Sequence, residues 1–308
     1  MRTGSDFTGI YASTIVPLCP NYAIDEAELA YHVASIASVR GIRGLLINGH
    51  AGENFVLSSG EKRRIVEVVR EAVGPDCILI SGINSENSLE AGEDARDAED
   101  AGADAALIFP PFSWTLPQGD DVAVRHHEAV LAATALPIML YQAPVGSGSL
   151  AYSPSVLERL VNLPRVAAIK EGSWEAARYE ANLRLVNRVA PHVLVMPSGD
   201  EHLLTCFILG GRGSQVSIAA IIPEVVVALD EAVRAGDLAS ARAAHEIIYP
   251  LAKAIYGTPP GSRATARIKT CLKLLGRLKL DATRPPIGVL SDAEQELLKA
   301  ALVSAELL

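Results

Sequence analysis

The chain has 308 residues, 49% hydrophobic and 20% charged, enough for one large domain or a barrel with an appendage. Lys and Arg number 27 against 36 Asp and Glu, a net charge of -9, and no basic patch appears, which excludes nucleic acid as a partner. An anionic substrate must therefore be held by local amides or side chains, because the overall field does not gather it.

The amino-terminal stretch Met1 to Asp6 is polar with no long apolar run behind it, so neither a signal peptide nor a membrane span is expected. Strand candidates then follow in order: Gly9 to Leu18, Gly44 to Asn48, Cys77 to Ser81, Ala105 to Phe109, Pro137 to Tyr141, Val166 to Lys170, Val193 to Pro197 and Gly213 to Ser217. Each is short, apolar and rich in β-branched residues, and helix-period segments lie between them. Asp25, Ser58-Ser59 and Ser153-Pro154 are helix-start signals, and Ala101 to Asp104 reads as a helix end turning into a strand. Eight β-then-α units with near-continuous apolar strands predict a parallel (β/α)8 TIM barrel of the α/β class. An open doubly wound sheet competes, but the first βα turn lacks the expected glycine-rich phosphate loop.

After Ser217 the texture changes to helices without strands: Ile221 to Ala235, Leu238 to Tyr256, Ser262 to Leu275 and Ser291 to Leu307. The expected division is a barrel over residues 1–232 and a C-terminal helical appendage over 233–308. Cys19, Cys77, Cys206 and Cys271 are far apart and lack metal-ligand spacing, which fits reduced thiols in a cytoplasmic protein with no metal site.

In such a barrel, reactive groups gather at the carboxyl ends of the strands. Lys170 ends the run Val166-Ala167-Ala168-Ile169. Burial there disfavours the ammonium, and a neutral amine is a nucleophile towards carbonyl carbon. The same segment also fits a strand-end lysine that reaches water or pairs with Glu171. Tyr141 ends the fifth strand, as a proton shuttle or as an aromatic whose hydroxyl a neighbour satisfies. The turn Gly49-His50-Ala51-Gly52-Glu53 after the second strand allows close backbone approach and an anion-binding nest, or is an ordinary loop. Ser198 or Asp200, after the seventh strand, reads as a helix cap.

The ordered set of glycine-rich turn, Tyr141-Gln142-Ala143-Pro144 and Ile169-Lys170-Glu171, with Leu209-Gly210-Gly211-Arg212-Gly213 and Val216-Ser217 at the eighth strand, resembles the dihydrodipicolinate synthase and N-acetylneuraminate lyase superfamily. That resemblance spans nearly the whole chain and implies a class I pyruvate aldolase. By that resemblance Lys170 would form a Schiff base with a 2-oxo acid and Tyr141 would pass protons to the departing oxygen. Backbone amides around Gly49, His50, Ala51 and Gly52 would bind the carboxylate, and the carbonyl of Val216 or Ser217 would hold the amine or a substrate hydroxyl. It implies no cofactor, since the lysine supplies the electrophilic catalysis, and a homotetramer built as a dimer of dimers. Exposed apolar residues such as Phe112, Trp114 and Leu116 in one loop fit such assembly.

The departures bear on substrate. The family's turn usually carries two hydroxyls where this chain has His50 and Ala51. His50 either substitutes as an acid or base or is a spacer that closes the pocket. No second tyrosine follows the fourth strand, where the chain reads Phe109-Pro110-Pro111-Phe112-Ser113-Trp114. Val145-Gly146-Ser147-Gly148 stands where an arginine often meets the second substrate's carboxylate, and a bidentate clamp is not easily replaced. Trp174 lies where glycine is frequent. Phe112, Trp114 and Trp174 therefore make an apolar distal pocket or pack at a subunit contact. The expected activity is a Schiff-base lyase that cleaves, condenses or dehydrates a 2-oxo acid. The alternatives are a true 4-hydroxy-tetrahydrodipicolinate synthase with an altered relay, and a non-catalytic 2-oxo acid binding protein.

Overall fold

The computed structural model describes residues 4–116 and 118–308; the polar residues Met1 to Thr3 of the amino terminus lie outside that range. The strands are β1 (Gly9–Ser13), β2 (Ile42–Ile47), β3 (Ile78–Ile83), β4 (Ala105–Ile108), β5 (Ile138–Gln142), β6 (Val166–Glu171), β7 (Leu194–Pro197) and β8 (Gly213–Val216). Every ladder is parallel, in the order β7-β6-β5-β4-β3-β2-β1-β8, and β7 packs beside β8 to bring the sheet round. The architecture is the predicted (β/α)8 barrel.

Eight helices return the chain between or after strands: α1 (Glu26–Ala37), α2 (Ser59–Val73), α3 (Ser88–Asp100), α4 (Asp120–Ala133), α5 (Pro154–Val161), α6 (Ala176–Val189), α7 (Leu203–Ile208) and α8 (Pro223–Ala235). Their starts follow the sequence signals. The Asp25 carboxylate accepts the Glu28 N–H at 3.0 Å, Ser58 and Glu61 form a reciprocal capping box, and Ser153 caps α5 with Pro154 in its first turn.

Strands buried on both faces feed two cores. Tyr11, Leu46, Ile78, Ile80, Leu107, Met139 and Met196 fill the barrel interior. Their alternating neighbours, such as Leu45, Ile47, Leu79, Ile138 and Val195, pack outward against the helices. This two-sided burial is why the strands read as continuous apolar runs.

Three further helices follow: α9 (Leu238–Tyr256), α10 (Ala264–Leu274) and α11 (Asp292–Ser304). The expected boundary between 232 and 233 falls inside α8, which ends at Gly236 with a left-handed φ of 74°. The C-terminal segment is tied into the barrel by buried polar contacts. Lys269 pairs with Glu53, and the Arg284 N–H donates to Glu53 Oε2 at 2.9 Å. Lys279 N–H donates to Glu28 Oε1 at 2.8 Å, and Arg277 reaches the Ile221 carbonyl at 2.7 Å. Arg267, only 1% exposed, bonds the carbonyls of Ile255 and Thr258 and pairs with Glu294, fixing α10 against its neighbours. Among the described residues no helix is long and apolar enough to cross a membrane.

Candidate functional site

Strand register brings the two leading candidates together. Tyr141 on β5 pairs with Lys170 on β6, so both side chains leave the same face of the sheet. Both line a cavity of about 560 Å³ at the carboxyl ends of the strands. Glu171, the next residue along, points the other way: its carboxylate accepts from Asn182 at 2.7 Å and from the Ser173 hydroxyl at 3.0 Å. The Lys170–Glu171 pair that sequence left open is therefore absent.

The Lys170 amine is 8% exposed and donates to Ser13 Oγ, at the end of β1, at 3.2 Å. Burial depresses its pKa from 10.5 to about 8, and the neighbouring Asp200 carboxylate pulls it partly back up. Asp200 is raised to about 7, chiefly by burial, with the Ile218 N–H at 2.7 Å and the Lys170 charge opposing. A buried acid and a buried base that titrate close together supply a nucleophilic amine near neutrality with a proton carrier beside it. Burial holds the Tyr141 phenol well above its ordinary range, so it keeps its proton.

Sequence reasoning read Asp200 or Ser198 as a helix cap. Neither the short 3-10 turn Asp200–His202 nor α7 has a side-chain cap, and the Asp200 carboxylate turns inward to Ile218. Ser13 and Tyr256 were also missed. Ser13 was hidden because the first strand was drawn through to Leu18, whereas β1 ends at Ser13 itself. Tyr256, the last residue of α9, reaches the cavity from the segment expected to be an appendage, and its hydroxyl bonds Ser217 Oγ.

The turn after β2 divides. His50 and Ala51 line the cavity, whereas Gly49 and Gly52 lie behind it. The Gly52 amide is spent on the Gly49 carbonyl at 3.0 Å, and those of Glu53 and Asn54 bond back to His50 and Gly49. His50 and Ala51 open the 3-10 turn His50–Gly52, where helical geometry leaves amides without an internal partner. The His50 ring is packed 4.3 Å from Phe109, 5.7 Å from Phe112 and 5.4 Å edge-on to Tyr141, between ring centroids. Burial, with the Lys170 charge behind it, drops the imidazole pKa to about 3, so the ring is neutral throughout the physiological range.

Of the expected distal residues, Phe112 and Trp174 line the cavity and Trp114 does not. Trp114 is 6% exposed in the hydrophobic core, edge-on to His126 at 5.4 Å, because the 3-10 turn Phe112–Thr115 sends the two rings in different directions. Val216 is likewise a core residue, and Ser217 after it faces the cavity. Trp174 has φ of 61°, a left-handed conformation that glycine adopts without strain. Among the described residues, no group of three or more His, Cys, Asp or Glu is placed to hold a metal ion.

Comparison with known proteins agrees with this fold. The Dihydrodipicolinate synthetase family profile matches residues 6–305. The 4-hydroxy-tetrahydrodipicolinate synthase of Synechococcus sp. (strain CC9605) is 32% identical over 303 residues, covering 97% of this chain and 95% of its own. That of Methanothrix thermoacetophila is 30% identical over 298 residues, covering 96% of each. Among solved structures, a prophage protein of the dihydrodipicolinic acid synthase family from E. coli K12, in complex with pyruvate, superimposes with a TM-score of 0.89 at 25% identity, covering 98% of this chain and 99% of its own. The chain belongs to the dihydrodipicolinate synthetase family and is a lyase of that family.

Proposed function

We propose that this protein is a Schiff-base-forming lyase of the class I aldolase type, acting on pyruvate or another 2-oxo acid, with Lys170 as the nucleophile. The observation that carries the reading is a buried lysine with a depressed pKa beside a protonated phenol in one cavity. The neutral amine attacks the keto carbon, the carbinolamine loses water, and the protonated imine becomes the electron sink for loss of a C3 proton or scission of the C3–C4 bond. Tyr141 gives and takes the proton at the departing oxygen. The free amides of His50 and Ala51 hold the substrate carboxylate, which explains how a chain of net charge -9 binds an anion. His50 works as a neutral ring that closes the pocket and does not titrate.

The synthase activity named for the relatives needs a second substrate with its own carboxylate, aspartate semialdehyde. Val145 to Gly148 supply no guanidinium for it. A purely binding role leaves the depressed amine and its phenol partner unexplained. We place the enzyme in the cytoplasm as a homotetramer; the exposed Leu116 suits burial against another copy.

The test is reductive trapping. Borohydride with pyruvate adds mass irreversibly at Lys170, and Lys170→Ala abolishes both adduct and turnover. A folded protein that yields no adduct over a panel of 2-oxo acids refutes the proposal.

A further inference from the structure

The outer half of the cavity carries chemistry that the 2-oxo acid does not use. Lys170 is the one Lys or Arg among its described lining residues, and imine formation consumes that amine. Two cations close to lining residues in the chain are committed elsewhere. Arg263, between two lining residues, is held by Glu294 at 2.7 Å and the Val289 carbonyl at 2.7 Å, and Lys253, one turn before Tyr256, is paired with Glu201 at 3.2 Å. The other ionisable lining group besides the Lys170, Tyr141, Tyr256 and His50 side chains is Asp200, an acid that offers a second carboxylate no positive charge.

What the cavity lining offers is aromatic surface in two pairs. Phe55 and Phe112, from the loops after β2 and β4, meet edge to face with centroids 6.2 Å apart. Trp174 and Tyr256, from the loop after β6 and the end of α9, meet at 4.8 Å. Trp174 holds its ring there from a left-handed backbone, a strain of about 1 kcal/mol or more that persists where the surroundings impose it and that clusters at ligand clamps. The same lining carries one hydroxyl pair, Ser217 and Tyr256. Two O–H groups joined by one hydrogen bond leave one hydrogen to donate, whichever of them is the donor.

We infer that the carbonyl partner of this enzyme is an uncharged aromatic aldehyde, its ring held between the Phe55–Phe112 and Trp174–Tyr256 pairs and its oxygen at the Ser217–Tyr256 hydroxyls. This rests on the Schiff-base reading above. The enamine C3 of the Lys170 adduct bonds to the aldehyde carbon, the C=O π pair moves to oxygen, and that oxygen takes a proton from the hydroxyl pair. The proton lost earlier from C3 restores the donor through the site's acids. Hydrolysis returns the water released on imine formation and frees a 4-hydroxy-2-oxo acid and the amine. Cleavage is the reverse of these steps.

The experiment supplies pyruvate with benzaldehyde, glyceraldehyde or aspartate semialdehyde and measures kcat/KM for the condensation product. Benzaldehyde is expected to exceed aspartate semialdehyde at least tenfold. Trp174→Ala is expected to raise the KM for benzaldehyde about tenfold, the effect of losing one well-packed aromatic contact, while the KM for pyruvate stays. Aspartate semialdehyde at or above benzaldehyde, or pyruvate trapped on Lys170 with no product from benzaldehyde, overturns the inference. A wild-type protein that does not trap pyruvate at all is a different result, and it removes the Schiff-base reading on which the inference stands.

Discussion

The pH dependence of trapping on Lys170 follows from its burial. A free lysine amine at its ordinary pKa is neutral in about three molecules per ten thousand at pH 7. A pKa of about 8 raises that to about one in ten, a gain of roughly 300-fold in nucleophile. Cyanoborohydride trapping with saturating pyruvate, followed by intact-protein mass spectrometry from pH 6 to 10.5, reads this directly. The initial rate is expected to climb about tenfold between pH 6 and 7, bend near pH 8, and level off above it. A rate still climbing tenfold per unit beyond pH 9.5 shows an amine that titrates as in water. That result contradicts the desolvated nucleophile, whatever the final yield of adduct.

The same burial acts on stability. Because the folded state releases the Lys170 proton near pH 8 and the unfolded state near 10.5, the native protein carries a desolvation cost of about 3 kcal/mol below pH 8 that fades as pH rises to 10.5. Lys170→Met is therefore expected to be inactive yet more stable in denaturant titrations at pH 7, with its advantage gone near pH 10.5; equal gains at both pH values contradict the sign. Tyr141→Phe keeps the fold and lowers kcat by about 10²- to 10⁴-fold, the usual scale for a lost proton-transfer group, and an undiminished rate removes the phenol from the relay. His50→Ala leaves the shape of the pH–rate profile unchanged between pH 5 and 8, because the native ring titrates near 3; a limb near 6.5 that disappears in the variant returns His50 to acid-base work. Lys269→Met strands the Glu53 carboxylate, 2% exposed, and is expected to destabilise the protein by about 3–5 kcal/mol in urea unfolding. A cost under 1 kcal/mol means that the site opens to water.

The strands were legible because burial on both faces leaves an apolar run, and Lys170 stood out as a charge at the end of one. Tyr141 became informative only through the register that a closed sheet imposes on neighbouring strands. Other residues left no such mark. Asp200 follows Ser198-Gly199 as a cap does, and only the fold of the chain after β8 shows its carboxylate turned to the Ile218 amide. Phe112 and Trp114 are two positions apart and equally aromatic, so nothing in their spacing says that one lines the cavity and the other fills the core. The amides of the β2 turn look alike in sequence, whereas the hydrogen bonds of the turn spend the Gly52, Glu53 and Asn54 donors.

The C-terminal helices were legible as helices, but local pattern said nothing of what they cover, and the reason is physical. They are amphipathic like any surface helix, and their period carries no information about which surface they cover. The contacts do. Thr265 donates to the His50 carbonyl at 3.2 Å and Lys269 pairs with Glu53, so α10 braces both ends of the turn that presents the two free amides. Glu53 has a left-handed φ of 59°, a conformation held against strain by the lysine beneath and the Arg284 amide beside it. The glutamate of the Gly49-to-Glu53 turn thus ties that turn to the C-terminal segment. Residues from α9 onward then complete the cavity wall, with Tyr256 closing on Trp174 and Ser217. A barrel cut off after α8 would keep Lys170 and Tyr141 on adjacent strands and lose Tyr256 from the cavity wall together with the α10 contacts to the turn after β2. The cavity is therefore built by both parts of the chain: the strands carry Lys170 and Tyr141, and the C-terminal helices fix the turn and the wall around them.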